Sequence, residues 1–279
     1  MINILFGGNS KVFDGFLTCI LSIFKRSKIQ DEYTFYILTM SLTRKDSAYT
    51  PISDKEIEFL NEVCQEYNPN NKVIKIDVTE MYEQYFAYCP NEDAYCSPYT
   101  LIRLFADILP LPDKILYLDA DVIFNGDIHS LYEINVDDYE YAAARDFYGR
   151  MFVHPNYINA GVMLFNLKKI RETKLLEKAR KLIQTKRLHC ADQSAIIRST
   201  TSKKIISQRF NDQRYLYKDT IIRHFSKHFY LFPYPHYENV KQWDIYSVHK
   251  KFHYYQFDDI LYEYVYLITK FKKQCEIKQ

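Results

Sequence analysis

The stretch from Lys114 to Phe124, KILYLDADVIF, restricts the fold more than any other part of the chain. An apolar run this short and continuous suits a central parallel strand covered on both faces, although periodicity alone leaves a buried helical segment open. The run stops at Asp119 and Asp121, with only Ala120 between them. Ligands of open α/β sheets bind beyond the carboxyl ends of strands, so two carboxylates at this end stand where chemistry would occur. Their mutual repulsion raises one pKa unless a cation keeps both ionised. A divalent metal with oxygen ligands meets that need. The structural alternative is a solvated aspartate pair opening a turn.

The surrounding elements alternate. Asn3 to Phe6 reads as a buried strand broken by Gly7, Gly8 and Asn9 before a periodic helix from about Phe13 to Phe24. In a chain with six glycines, two together imply a positive φ, close approach to a bound group, or an ordinary tight turn. Neither a G-x-G-x-x-G fingerprint nor a P-loop follows. A strand at Thr34 to Leu38, a helix at Asp54 to Tyr67 and a strand at Lys72 to Ile76 complete βαβ units, which predicts an α/β fold with a mixed, mainly parallel sheet flanked by helices. Ser97 and Pro98 supply the cap and first-turn proline of a helix reaching about Leu109. On it Arg103 sits among Leu101, Ile102, Leu104 and Phe105, so its guanidinium either snorkels to solvent or meets a buried anion. Tyr141 to Arg145 forms a strand ending at Asp146. Tyr157 to Leu167 carries Asn159, Ala160 and Gly161 into VMLFNL. A core-packing helix follows from about Lys168 to Gln184. Asp192 and Gln193 stand at a helix start, where an acidic residue also serves as a plain cap. A short strand from Thr220 to Ile222 runs into Arg223 and His224.

Charge and cysteine usage exclude several classes. The 37 basic and 35 acidic residues are interspersed, for a net charge of +2, so no run tracks a phosphate backbone and no nucleic-acid partner is expected. Six scattered cysteines lack C-x-x-C spacing and fit reduced, cytoplasmic thiols. The opening residues lack the basic flank and long apolar region of a signal peptide, and no apolar stretch is long enough to span a bilayer. The length fits one large core with a C-terminal addition, here divided into residues 1–230 and 231–279. The tail from Asp258 to Lys273 mixes apolar residues with Lys270, Lys272 and Lys273, as a docking helix or a helix lying on an anionic membrane face would.

Taken in order, LIRL at 101–104, LYLDAD at 116–121, YINAGVMLFNL at 157–167, ADQS at 191–194 and IIRHF at 221–225 make the chain resemble the retaining glycosyltransferases of family 8, which include bacterial galactosyl- and glucosyltransferases and glycogenin. The resemblance covers roughly residues 1 to 230. It implies a GT-A fold of Rossmann type, so that the C-terminal addition expected from length becomes a helical and aromatic extension beyond it. It implies a nucleoside-diphosphate sugar donor, usually a uridine one such as UDP-glucose or UDP-galactose, and a saccharide or other hydroxyl acceptor. It implies manganese, with magnesium as the second choice, held at Asp119, Asp121 and His224. Mixed carboxylate and imidazole ligation suits manganese better than magnesium. Carried over by position, Arg103 faces the diphosphate or sugar, Asp146 and Asn159 the transferred sugar, and Asp192 with Gln193 the reacting face. Gly7, Gly8, Asn9, Ala120, Ala160, Gly161 and Lys227 complete the donor-binding set.

Two places depart from the family pattern. Where the family ends its first strand in acidic residues, one of them gripping uracil, this chain has Gly7, Gly8, Asn9 and Ser10. Asparagine accepts through its carbonyl and donates through its amide, so base selectivity is expected to relax. After the metal histidine the family places a K-P-W element on the diphosphate. Here HFSKHFYLFPY follows, with Lys227 too early and no Pro-Trp, so the clamp is expected to be rebuilt or weakened. Two rival readings are an aspartate phosphatase of the haloacid-dehalogenase type and a non-catalytic descendant that binds a saccharide or a partner protein.

Overall fold

The computed structural model describes residues 1–29, 31–94, 96–230 and 233–277. Its strands are β1 (Ile2–Gly7), β2 (Tyr33–Thr39), β3 (Lys72–Asp77), β4 (Lys114–Leu118), β5 (Val122–Phe124), β6 (Tyr141–Arg145), β7 (Ile158–Asn166), β8 (Lys203–Ile206), β9 (Ile222–His224), β10 (His228–Tyr230) and β11 (His236–Glu238). The main sheet has the order β3-β2-β1-β4-β7-β6-β8. β3, β2, β1 and β4 pair in parallel, β7 runs antiparallel between β4 and β6, and β8 is parallel to β6. The sheet is therefore mixed and mainly parallel, as expected. Two small antiparallel pairs, β5 with β9 and β10 with β11, lie outside it.

β4 is central for the reason its sequence suggests. Ile115 and Tyr117 point into one apolar core, while Leu116 and Leu118 point into the other. A strand alternates its side chains, so only one covered on both faces can be apolar throughout. Helices α1 (Phe13–Arg26) and α2 (Asp54–Tyr67) connect β1 to β2 and β2 to β3. α2 starts with a capping box in which Ser53 Oγ accepts from Glu56 N at 3.2 Å and Glu56 Oε2 accepts from Ser53 N at 2.7 Å. Such a cap contributes about 1 kcal/mol.

Two helices differ from their sequence pattern. The segment after Ser97 is a 3-10 helix, Pro98–Phe105. Thr100 Oγ1 bonds the Ser97 carbonyl at 2.9 Å and Arg103 Nε bonds the Thr100 carbonyl at 3.0 Å, so side chains occupy acceptors that an α-helix would use. The expected helix from Lys168 to Gln184 is split at Lys174, whose φ of 56° is left-handed, into Leu167–Thr173 and Leu175–Thr185. No glycine marks the break.

The C-terminal helix, Asp258–Ile277, joins the core rather than standing off. Phe271 lies 5.2 Å from Phe13 and 4.9 Å from Phe59 between ring centroids, and the Tyr264 hydroxyl donates to Asp14 Oδ1 at 2.9 Å. The expected division after residue 230 falls against residues outside those described. Among the described residues, no helix is long and apolar enough to cross a membrane.

The strand directions gather the candidate residues at one edge. β1, β4 and β6 all end there, at Asn9, Asp119 and Asp146. β7 runs the other way and starts there with Asn159, Ala160 and Gly161.

Candidate active site

Asp119 follows β4 and bonds Gly161 across the sheet, its N–H donating to the Gly161 carbonyl at 2.8 Å. Its Oδ1 accepts from the Tyr117 hydroxyl and from Arg103 Nη2, both at 2.8 Å, which leaves Oδ2 toward His224 Nε2 at 3.9 Å. Asp121 Oδ1 lies 3.0 Å from the same nitrogen. Each of Asp119, Asp121 and His224 offers a ligand atom, and these atoms fall within 4.8 Å of one another. His224 Nδ1 donates to Asn211 Oδ1 at 3.0 Å, so the Nε2 lone pair is the one turned to the carboxylates. Gly161 makes room for this arrangement: a Cβ there would lie 2.3 Å from His224 Cε1 and 2.8 Å from Asp119 Oδ2. Two carboxylates and an imidazole that turns Nε2 toward them fit a manganese-type donor set.

The cationic groups are placed with equal care. Arg103 does not snorkel; it is 2% exposed, stacks over the Tyr117 ring at 4.1 Å, and bridges Asp119, the Ala160 carbonyl and Asp192 Oδ2, the last at 3.1 Å from Nε. Burial disfavours its charge, but Asp119, Tyr117 and Asp192 hold its pKa above the ordinary arginine value. Asp192 is pushed up by burial, and Arg103 offsets only part of that. The guanidinium is shared, and Asp119 takes the larger part. Lys241 Nζ lies 2.5 Å from Asp121 Oδ2. Burial raises the Asp121 pKa, yet Lys241 and His224 outweigh it and hold the carboxyl below the usual carboxylate range.

A chain of amides connects the metal-type cluster to the far wall. Asn211 Nδ2 donates to Asn159 Oδ1 at 2.9 Å, and Asn159 Nδ2 donates to Asp146 Oδ2 at 2.9 Å. Gln193 Oε1 accepts from the Ala160 N–H at 3.0 Å. Gln213 donates to the Arg145 carbonyl at 3.1 Å and accepts from Phe147 N at 2.6 Å, fixing the turn that carries Asp146.

Two cavities meet over these groups. The larger, 510 Å³, takes in Asp119, Asp121 and His224 together with Asp146, Asn159, Ala160, Gly161, Asp192, Gln193 and Lys227. The smaller, 210 Å³, is lined by Gly7, Gly8, Asn9 and Ala120, with Tyr99 and Trp243 as aromatic walls, and shares Arg103, Asp119, Asp121 and Lys241 with its neighbour. All the sequence-predicted residues are thus brought to one cleft. Neither glycine of the pair has a positive φ. A Cβ on Gly8 would lie 2.5 Å from Val12 Cγ2, so tight packing of the following turn explains that glycine. Asn9 caps that turn, its Oδ1 accepting from Lys11 N at 3.2 Å. Its Nδ2 is buried without a hydrogen-bond partner, although it lies near enough to the Tyr99 hydroxyl to oppose the burial that pushes that phenol up to about 12.

Sequence reasoning missed Tyr117, Asn211, Gln213, Lys241, Gln242 and Trp243. The last three bear on the K-P-W element, expected to be rebuilt or weakened: Lys241-Gln242-Trp243 reaches the site after the β10–β11 hairpin. Gln242 Nε2 donates to the Ala120 carbonyl at 2.7 Å, and Trp243 lines the smaller cavity. The signal was available, since Trp243 is the one tryptophan in the sequence.

The model of Glycosyl transferase family 8 matches residues 3–244. The chain belongs to that family. Glycosyltransferase GlyE of Streptococcus pneumoniae serotype 4 is 40% identical over 70 residues, which cover 25% of this chain and 16% of that protein. The lipopolysaccharide 1,2-glucosyltransferase of Escherichia coli K12 is 34% identical over 102 residues, covering 30% and 28%. The chain spans only 9% and 10% of the length of the first two curated relatives it matches. Among solved structures, galactosyltransferase LgtC in complex with donor and acceptor sugar analogs superposes with a TM-score of 0.63 at 17% identity over 96% of each chain. The crystal structure of GlyE superposes at 0.65 with 19% identity, over 98% of this chain and 65% of that one. These likenesses show the GT-A fold. The family match leaves the phosphatase reading without support.

Proposed function

We propose that this family 8 chain transfers a hexose, with retention, from a uridine-diphosphate sugar such as UDP-glucose or UDP-galactose to a saccharide hydroxyl. The observation that carries the reading is the cluster of Asp119, Asp121 and His224 at the strand ends, in a cleft that also holds Arg103 and Lys241. Asp119, Asp121 and His224 would hold manganese, or magnesium as the second choice, whose chemistry is to neutralise charge developing on the departing diphosphate. Lys241 adds positive charge at the same edge, fixed before reaction and therefore free of reorganisation cost. Gln193, Asp146 and Asn159 line the reacting cavity and orient the sugar. Asp192, buried and bonded to Arg103, holds that guanidinium in place. In the transfer the C1–oxygen bond to the diphosphate breaks, C1 bonds the acceptor oxygen on the same face, and the acceptor's proton leaves with the nucleoside diphosphate.

A binding protein derived from an enzyme is the second reading, and the network argues against it. Buried ionised groups such as Arg103 and Asp192 cost stability unless function retains them. For residues 231–279 we propose a packing role, with a peripheral membrane contact through the exposed Tyr262, Val265 and Tyr266 beside Lys272 and Lys273, at the cytoplasmic face. Sedimentation with anionic vesicles tests the contact, and unchanged recovery in the supernatant would remove it. The donor reading is tested by thermal shift with nucleotide sugars, with and without manganese. Ligands that bind only the native state raise its melting temperature, and UDP-sugars should do so with manganese present. No response to any nucleotide sugar would defeat the assignment.

A further inference from the structure

Beside the reacting cavity, and continuous with it through Asp146, Tyr148, Gln193 and Tyr237, lies a cavity of 610 Å³. Much of the hydrogen-bonding capacity of its walls is spent inside the protein. Asp146 accepts from the N–H groups of Tyr148 (3.1 Å) and Gly149 (2.6 Å) and from Asn159 Nδ2 (2.9 Å). The Tyr157 hydroxyl is bonded to Ser194 Oγ at 2.9 Å, and the Tyr148 hydroxyl donates to the Phe229 carbonyl at 3.1 Å. Away from Gln193, the cavity therefore turns carbon toward a ligand, from Phe152, Val153, Ile197 and Phe229. His154, His189 and Arg198 are polar exceptions, and all three are exposed, with His189 standing at the end shared with the reacting cavity.

Phe152 and Val153 are 78% and 67% exposed, so the free protein leaves a substantial apolar surface in water next to its reacting groups. The β10–β11 hairpin adds to the same wall. Phe229 and Tyr237 face each other across it with ring centroids 5.0 Å apart, and both line the cavity. A bare pyranose laid along Phe152, Val153, Ile197 and Phe229 would turn hydroxyls toward carbon that cannot bond them. An alkyl or aryl group would remove carbon surface from water on both sides.

We propose that this cavity is the aglycone half of the acceptor site, and that the acceptor is a glycoside carrying an alkyl or aryl group at its reducing end. The sugar's reacting hydroxyl lies at the shared end by Gln193, and the apolar group lies along Phe152, Val153, Ile197 and Phe229. The inference rests on the donor reading above, because that reading makes the shared end the place of reaction.

The test measures binding to the full chain with UDP and manganese present. Octyl and methyl β-D-galactosides, and the corresponding glucosides, are titrated by calorimetry below the micelle concentration of the octyl compounds. At least one octyl glycoside should bind ten times or more tightly than its methyl counterpart, and Phe152→Ser should reduce that preference below threefold. Val153→Ser provides a second variant should the first fold poorly. Tyr262→Ser, on the exposed face of the C-terminal helix, should keep the preference; its loss there would mean indiscriminate detergent uptake and overturn the proposal. Equal binding of octyl and methyl compounds, or a preference that survives both cavity variants, would overturn it as well. Melting curves of the same samples separate the two readings. Stabilisation by UDP and manganese without an alkyl preference defeats the acceptor inference alone, whereas no stabilisation defeats the donor reading and the acceptor inference with it.

Discussion

Replacing Asn9 with aspartate tests the base end of the cleft. The Asn9 carbonyl is committed to the Lys11 N–H, so the end free to meet a base is the amide Nδ2, which is buried and unbonded. A donor there suits a base that presents an acceptor, such as cytosine at N3, and gives no partner to the N3–H of uracil. In Asn9→Asp one oxygen keeps the cap and the other becomes a charged acceptor for that N3–H. A neutral hydrogen bond nets about 1 kcal/mol and a charge-assisted one roughly twice that, so forming one where the wild type makes none should gain uridine diphosphate about 2 kcal/mol, on the order of thirtyfold in affinity. Without nucleotide the new carboxylate is buried beside Tyr99 with no ionic partner, which should cost roughly 1–3 kcal/mol of stability. Calorimetry with manganese should show uridine diphosphate binding about ten- to thirtyfold more tightly and cytidine and guanosine diphosphates binding no better. Melting without nucleotide should fall, and the shift produced by uridine diphosphate should grow. Equal or weaker binding of uridine diphosphate would show that Asn9 does not face the base.

Asp121→Ala should lower manganese-dependent transfer on the order of 10³-fold, because the charge stabilisation lost is worth several kcal/mol; near wild-type turnover would move the metal elsewhere. His224→Ala leaves both carboxylates and should raise the manganese concentration needed for half activity, with an unchanged requirement counting against the imidazole as ligand. Gly161→Ala, whose methyl would stand 2.3 Å from His224 Cε1, should weaken manganese binding measured by electron paramagnetic resonance, and unaltered affinity would show that the ring has room to move. His228 should give an acid-side loss of stability. Burial and the neighbouring Arg223 lower its pKa from 6.5 to about 4, so between those values the unfolded chain binds more protons and stability falls as pH drops from about 6.5 to 4, by at most about 3 kcal/mol. His228→Gln should flatten that limb in denaturant titrations, and an unchanged slope would refute the assignment.

What could be read from the sequence, and what could not, follows from how locally each feature is determined. β4 and its aspartates were legible because one contiguous run contains both the apolar pattern and the carboxylates that end it. Arg103 was half legible. Its apolar neighbours showed a conflict between burial and charge, but the resolution lies in Asp119, Asp192 and the Ala160 carbonyl, which reach it from three other elements. The break at Lys174 carried no signal, since a lysine in the left-handed region is held there by its surroundings rather than by its own preference. The amides of Asn211, between elements, and Asn159, on β7, form no network until folding aligns them between His224 and Asp146. Lys241 and Trp243 were hidden for a different reason. The expected spacing after His224 is interrupted by β10 and β11, yet an antiparallel hairpin returns the chain close to where it left. Lys241 Nζ accordingly comes within 3.5 Å of the Phe225 carbonyl, one residue past the histidine. The ends of an inserted segment have to meet, and the entropy cost of meeting grows only slowly with its length. A fixed spacing in sequence is therefore a weaker requirement than a fixed position in space. The β10–β11 hairpin thus sets the Lys-x-Trp element beside Asp121 and at the same time brings Phe229 and Tyr237 to the wall of the neighbouring cavity.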